Sequence, residues 1–343
     1  MFGTNGPIGW TSEPLCPHAG IVIGRKGAYR GVHFSPEPFF VIDTAFYLEL
    51  KTDEIDLRWA YYRLLTVDIN AMDVGAAIPT TNRDQFHALA LTYPTLSVQR
   101  STVELLSRFD DLIDNNRRRI KLLGDSVRLL FDEWFVNAKA SHWPTLTLQQ
   151  LCVDEGGIQT GPFGSQLHQS DYSEEGVPVV MPKDLATMKI DTQTIARIPE
   201  HLADELGRHR MQRGDIVFGR RGEIGRRAYI GQRQVGYFCG TGCLRLRPDP
   251  ARVHPRFLFE ILRAPQVAGD IANRAKGSTM ANLSAGALQG VPVPLPPREL
   301  QNRFATFADE VGEQIDTLDE QSRKLRTARD LLLPRLMSGE LTV

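Results

Sequence analysis

The 343-residue sequence is poor in the features that mark secreted, membrane-embedded or catalytic chains. Its four cysteines, Cys16, Cys152, Cys239 and Cys243, are too few and too scattered for a disulfide framework, which favours a reducing, cytoplasmic setting. No apolar run approaches a membrane span of about 20 residues. The opening "MFGTNGPIGW" has neither a basic nor an apolar leader region, so no signal peptide is expected. Cys239 and Cys243 have no second cysteine pair to complete a zinc site, so core thiols and no metal are expected. The patterns G-x-x-x-x-G-K-[ST], H-E-x-x-H and G-x-S-x-G are missing, and the eight histidines form no cluster. "YFCGTG" (237–242) contains F-x-G-x-G, but it leads into the alternating "CLRLRP". A cofactor-cradling turn should lead into a helix. Nothing in the sequence assembles a catalytic constellation.

A net charge of −1 excludes a uniformly basic chain, yet the charge is unevenly placed. Between Leu206 and Arg247 stand ten arginines against two acids, Asp215 and Glu223. Between Glu299 and Glu320 stand seven acids against Arg303 alone. Such blocks point to two different partners; the plainer alternative is two solvated surfaces.

What the sequence does contain is an internal duplication. "GIVIGRKG" (20–27) is echoed by "DIVFGRRG" (215–222), "DTAFYLEL" (43–50) by "GTGCLRLR" (240–247), "LRWAYYRLL" (57–65) by "PRFLFEILR" (255–263), and "LTYPTLSVQ" (91–99) by "VPLPPRELQ" (293–301). Each copy runs from a mixed domain through a proline-rich exit into a long helix. "GIVIG", "AFYLEL", "GVPVVM", "DIVFG" and "CLRLR" read as strands, "LRWAYYRLLTV" and "RFLFEILRAP" as short amphipathic helices, and "GVPVPLPP" as an extended segment. The length allows about two domains.

The long helices carry alternating three- and four-residue apolar spacings. In the first, the seam is Leu106, Phe109, Ile113, Asn116, Ile120, Leu123, Val127, Leu130 and Trp134. In the second it is Ala308, Val311, Ile315, Leu318, Ser322, Leu325, Arg329, Leu332 and Leu336. These are coiled-coil seams, with Asn116, Ser322 and Arg329 as polar interruptions. The two seams are natural partners for each other; two helices packed on separate domains is the alternative. The first seam would extend ~42 Å at about 1.5 Å per residue, a little over one turn of DNA at ~34–36 Å. Paired antiparallel, the helices would act as a ruler between two similar heads. The expected fold is α+β: two similar mixed α/β domains joined by an antiparallel coiled coil. The expected segments are a first head over 1–95, a spacer helix over 96–140, a second head over 141–296, and a second spacer helix with its tail over 297–343.

Gly-basic-basic-Gly turns combine close backbone approach with cations suited to phosphate or guanine edges. They nominate Arg25 and Lys26 in the first copy and Arg220, Arg221 and Arg226 in the second. The polar loop "GGIQTGPFGSQL" (156–167) adds Thr160, with Phe163 at its centre. "VMPKDL" (180–185) adds Lys183, and "AKGSTMANLS" (275–284), the counterpart of "VGAAIPTTN" (74–82), adds Lys276 and Ser278. Each loop alone could be ordinary surface.

The stretches "GTNGPIGW" and "GIVIGRKGAYRGVHFSPEPFFVIDTAFYLEL", "LLFDEWFV" (129–136) and "LLLPRLMSGEL" (331–341) resemble the specificity subunit of type I restriction–modification enzymes. The resemblance covers essentially the whole chain. It implies two target recognition domains that each read half of a split double-stranded DNA sequence, with the helices setting the gap. It also implies docking to methyltransferase subunits, which use S-adenosylmethionine, and to restriction subunits, which use ATP and Mg. In that family the specificity subunit binds no cofactor and performs no chemistry. Two other readings are a stand-alone DNA-modifying enzyme and a coiled-coil interaction protein without DNA contact. The first copy departs from the pattern: it begins late and lacks counterparts of "GGIQTGPFGSQL" and "VMPKDL". The first recognition domain is therefore expected to be incomplete, through a fragment, a misassigned start or a natural truncation.

Overall fold

A strand that is apolar at every position, not at alternate ones, is covered on both faces. "GIVIG" is such a run. In the computed structural model, which describes residues 1–72, 78–137, 143–164, 166–186, 189–221, 225–275 and 282–343, it forms β1 (Gly20–Gly24), buried throughout. β1 is the centre of a three-stranded antiparallel sheet with β2 (Val32–Ser35) and β3 (Ala45–Leu48), Ile21 standing opposite Phe34 and Leu48. α1 (Leu57–Leu65) follows, its N-terminal amides at Arg58 and Trp59 donating to the Asp56 carboxylate. Its Ala60 and Leu64 close over Ile21 and Ile23 in one apolar cluster with Ile69 and Phe86. These elements belong to one of two units, residues 1–119 with 318–343.

The other unit, residues 120–317, repeats the plan with additions. The strands of its two larger sheets are β4 (Ile158–Thr160), β5 (Val177–Val180), β6 (Ala196–Ile198), β7 (Ile216–Gly219), β8 (Arg227–Tyr229), β9 (Phe238–Cys239) and β10 (Cys243–Leu246). β7, from "DIVFG", is buried throughout and lies inside an antiparallel sheet of order β8-β7-β10-β4. A second sheet, of order β6-β5-β9, pairs β5 antiparallel with β6 and parallel with β9. α2 (Pro255–Ile261) takes the place of α1 and is capped by His254, which accepts from the Arg256 amide. The extended "GVPVPLPP" contributes Pro292–Pro294 to a two-stranded pairing with Thr145–Thr147, where a proline costs no central ladder bond.

Each unit takes part of two long α-helices, Leu96–Phe131 and Arg298–Met337. In the first unit Leu106 packs with Leu333, Leu336 and Met337 beneath Trp59 and Tyr62 of α1. Four residues on, Asp110 accepts from Arg329 at 2.7 Å. Numbers rise on one helix as they fall on the other, so the pair is antiparallel. In the second unit, Phe131 and Phe135 near the end of the first helix meet Phe304 near the start of the second, with ring centroids 5.4 Å apart in both cases. The three-four spacing runs on to Trp134, whereas Asp132–Val136 is π-helical. All seam residues of both helices are buried or half-buried, while Leu112, Leu122 and Leu129, off the seam, are exposed. Of the polar interruptions, Asn116 is buried, the Ser322 hydroxyl donates to the Leu318 carbonyl, and Arg329 is the partner of Asp110.

A fully buried glutamine ties short helix to long helix in both units. The Gln99 carbonyl oxygen accepts from the Asp56 amide at 2.8 Å, and its NH2 donates to the Pro94 carbonyl at 2.8 Å. Gln301 does the same with His254 at 2.9 Å and Pro296 at 2.8 Å. Both glutamines end the proline-rich exits that the duplication aligned.

Candidate nucleic-acid interface

In an antiparallel sheet, alternate strands deliver their connecting loops to the same end. The end of β7, the start of β10 and the end of β4 meet at one such edge, and backbone bonds lock their loops together. The Arg220 amide donates to the Gly242 carbonyl at 2.9 Å, and the Leu283 amide donates to the Arg220 carbonyl at 2.9 Å. Arg221 bridges to Asn282. On the other side, the Gly161 amide donates to the Cys243 carbonyl at 3.0 Å, and the Thr241 hydroxyl to the Pro162 carbonyl at 3.1 Å. Gly161 is obligatory there, since a Cβ would sit 2.0 Å from the Gly240 carbonyl oxygen. The turn 182–184 lies alongside, with Pro182 beneath Gly242 and Gly219.

This edge therefore gathers Thr160, Lys183, Arg220 and Arg221, and the 156–167 loop on it also exposes the ring of Phe163. Lys183 and Arg221 are exposed; Arg220 is half-buried, its Nε donating to the Leu283 carbonyl at 3.0 Å. Arg226, also exposed, closes the hairpin loop through its carbonyl, which accepts from the Gly219 amide at 3.0 Å. Lys276 and Ser278 lie outside the described residues.

The first unit builds the same edge from different residues. The Arg25 amide donates to the Thr44 carbonyl at 2.8 Å, the Thr81 amide donates to the Arg25 carbonyl at 2.8 Å, and Lys26 bridges to Thr80. Arg25 thus stands where Arg220 stands, Lys26 where Arg221 stands, and Thr80–Thr81 where Asn282–Leu283 stand. Asn82 and Ser284, the next residues, each cap a short helix. Lys26 forms an ion pair with Asp43 at 2.9 Å. These bonds correct one alignment. Pairing "DTAF" with "GTGC" from their first residues sets Ala45 against Gly242, whereas Gly24 lies opposite Ala45 and Gly219 opposite Cys243. The alternation of these strands leaves a one-residue slip inconspicuous in sequence, although it exchanges the two faces.

The basic block is not all surface. Arg245 is buried and Arg247 half-buried; Asp215, itself buried, accepts from Arg247 Nε at 2.8 Å and Nη2 at 2.7 Å, with Arg245 Nη1 3.8 Å away. Arg245 also donates to the Gly156 carbonyl and Gln159, pinning the start of the 156–167 loop. Arg227, the residue after Arg226, is buried against the rings of Phe218 and Phe259, and burial pushes its pKa down to about 10. His209 is buried as well; burial first, then Arg208 and Arg245, hold its pKa down to about 4. Beneath the interface Cys239 and Cys243 are buried thiols, and burial raises Cys239 to about 12. Sequence alone gave no sign of these internal pairings beyond an acid directly before the "IVFG" run. Among the described residues, no group of three or more His, Cys, Asp or Glu could hold a metal ion, and no helix is long and apolar enough to cross a membrane.

The family described as "Type I restriction modification DNA specificity domain" matches residues 4–123 and 167–326, one stretch for each copy of the plan. The chain belongs to this family. Its function is DNA target recognition in a type I restriction–modification system, as a non-catalytic specificity subunit. The chain is similar to the type I restriction enzyme MjaVIII specificity subunit of Methanocaldococcus jannaschii: 21% identical, over 94% of this chain and 79% of that one. The MjaIX specificity subunit of the same organism is 22% identical over 86% of this chain and 71% of its own length. In fold, the chain is similar to the S subunit of a type I restriction–modification system from M. genitalium. The TM-score is 0.64 at 21% identity, covering 98% of this chain and 87% of that one. The specificity-subunit resemblance and the α+β plan of two related domains with long helices hold.

Proposed function

We propose that this specificity subunit reads a two-part double-stranded DNA target, one part with each copy of the loop-bearing sheet edge. The observation that carries this reading is the repeated edge itself: Arg25 and Arg220, Lys26 and Arg221 occupy matching places in matching backbone ladders. Cations on a glycine-bearing hairpin supply phosphate affinity, and polar loops beside them supply base contacts. In the second edge the readers are Thr160, Lys183, Arg220, Arg221 and Arg226, to which the sequence adds Lys276 and Ser278; in the first they are Arg25 and Lys26. The heads fall within 1–95 and 141–296, and the segments 96–140 and 297–343 serve as spacers and as docking elements for methyltransferase and restriction subunits. Those partners would carry S-adenosylmethionine, ATP and Mg, and the complex would act in the cytoplasm.

The test is to map methylated sites in a host that carries this chain with its methyltransferase partner. The expected motif has two specified parts around an unspecified gap. A one-part or palindromic motif would remove the first head from the reading, and loss of methylation should follow replacement of Arg220 and Arg221 by alanine.

A further inference from the structure

An aromatic ring held out from a hydrogen-bonded loop offers an apolar face and, in tyrosine, a polar tip to whatever meets that loop. Tyr29 is in that position. It lies in the loop between β1 and β2, three residues after Lys26, and is 81% exposed. The backbone around it is fixed on both sides. Before it, the Gly27 amide donates to the Pro79 carbonyl at 2.9 Å, with Gly27 at φ 123°. After it, Arg30 is 4% exposed and donates to the Gly27 carbonyl at 3.0 Å and the Asn70 carbonyl at 2.8 Å, while its own amide donates to the Asn70 side chain at 2.9 Å. A buried guanidinium is a costly anchor for a surface loop. Here it holds a loop whose one large apolar side chain faces solvent. Lys26, three residues before Tyr29, forms an ion pair with Asp43. The hairpin loop of the second unit has the same length, and Ile224, at the place matching Tyr29 by sequence, lies outside the described residues.

We infer that Tyr29 is a specificity-determining residue that contacts a base in one part of the DNA target, the ring giving apolar contact and the hydroxyl a hydrogen bond. The inference rests on the proposed reading of the first sheet edge. It differs from a phosphate contact in what it predicts: loss of a base contact relaxes preference at one position, whereas loss of a phosphate contact weakens binding to all sequences alike.

The experiment uses the full chain with its methyltransferase partner in a host, and the purified complex on duplex DNA of the mapped motif and single-base variants. Tyr29→Ala is expected to relax the motif at one position in one part, with discrimination there falling on the order of tenfold and the salt dependence of binding unchanged. Tyr29→Phe should keep the part of that discrimination given by the ring and lose the part given by the hydroxyl, falling between wild type and Tyr29→Ala. A two-part motif that survives Tyr29→Ala unaltered overturns this inference and leaves the proposed function standing, as does a uniform loss of affinity over all sequences. A wild-type motif with only one part overturns the first-edge reading and this inference with it. At 81% exposure the substitution should leave thermal unfolding unchanged, so misfolding is separable from loss of recognition.

Discussion

Arg329 of the second long helix donates through Nη1 to Asp110 of the first at 2.7 Å, and the same carboxylate accepts from the Tyr62 hydroxyl of α1 at 2.6 Å. One acid therefore joins both long helices to the short helix of the first unit, and its partner Arg329 is the seam residue that sequence presents only as a polar interruption. Asp110→Ala should destabilise this unit by about 1–3 kcal/mol, because it removes the acceptor of the buried Tyr62 phenol and leaves half-buried Arg329 with Asp330 as its remaining acidic partner. Asp110→Leu with Arg329→Leu should recover part of the loss. A double-mutant cycle in urea measures the coupling, and strict additivity would contradict it.

The buried glutamines predict a second stability effect. Gln301→Ala leaves the His254 amide and the Pro296 carbonyl unpaired in the interior, and should cost about 2–4 kcal/mol. Gln301→Glu retains the acceptor for His254 and should cost less if the carboxyl is protonated. Chemical denaturation of the two variants side by side gives the comparison.

The two arginines of the second hairpin should behave differently. Arg221 is exposed, so Arg221→Ala should leave folding intact and lower the salt dependence of DNA binding by about one counterion. Arg220 Nε is held by the Leu283 carbonyl, so Arg220→Ala should also lower stability, by about 1 kcal/mol. Binding titrations at several salt concentrations, with melting curves, separate the two effects. Equal salt slopes for wild type and Arg221→Ala would remove Arg221 from the interface.

His209 predicts a pH dependence. Its pKa is about 4 in the fold, against an ordinary 6.5, so the unfolded chain takes up this proton first as pH falls. The stability contributed by the neutral, buried ring is complete above about 6.5, declines as pH falls towards 4, and changes no further below that. The slope from this one group is at most about 1.4 kcal/mol per pH unit. Unfolding measured between pH 7 and 4 should be steeper for wild type than for His209→Gln, and parallel curves would refute the assignment.

Asp215 is the buried counter-charge for Arg247 and Arg245. Asp215→Ala should be among the most damaging single changes in the second unit, at about 3–5 kcal/mol, since two cations lose their shared carboxylate. Soluble yield and thermal unfolding would show it. A well-folded Asp215→Ala chain would mean that solvent reaches these arginines.

Much of the architecture was legible because it depends on local pattern. The all-apolar runs around Val22 and Val217 had to be covered strands, and the three-four spacing from Leu106 to Leu130 had to be a helix seam, whatever surrounded them. The repeat was legible because two copies of one plan carry the same order of strands, prolines and helix. Other features depend on residues far apart in the chain. Whether Arg221 or Arg227 faces solvent turns on the alternation of a hairpin and on where Phe259 packs, and both are arginines in one basic run. The match of Thr44 to Gly242 was settled by the amides of Arg25 and Arg220, not by resemblance of side chains.

The sequence by itself determined the family, the duplication and the helical seams, since each is written in periodicity or in short contiguous motifs. Only the tertiary structure decided which cations remain at the surface, what Arg329 pairs with, and that Tyr29 is exposed on a clamped loop. Those outcomes depend on burial and hydrogen-bond closure between distant segments, and a side chain's type does not reveal whether it will find a partner inside the fold.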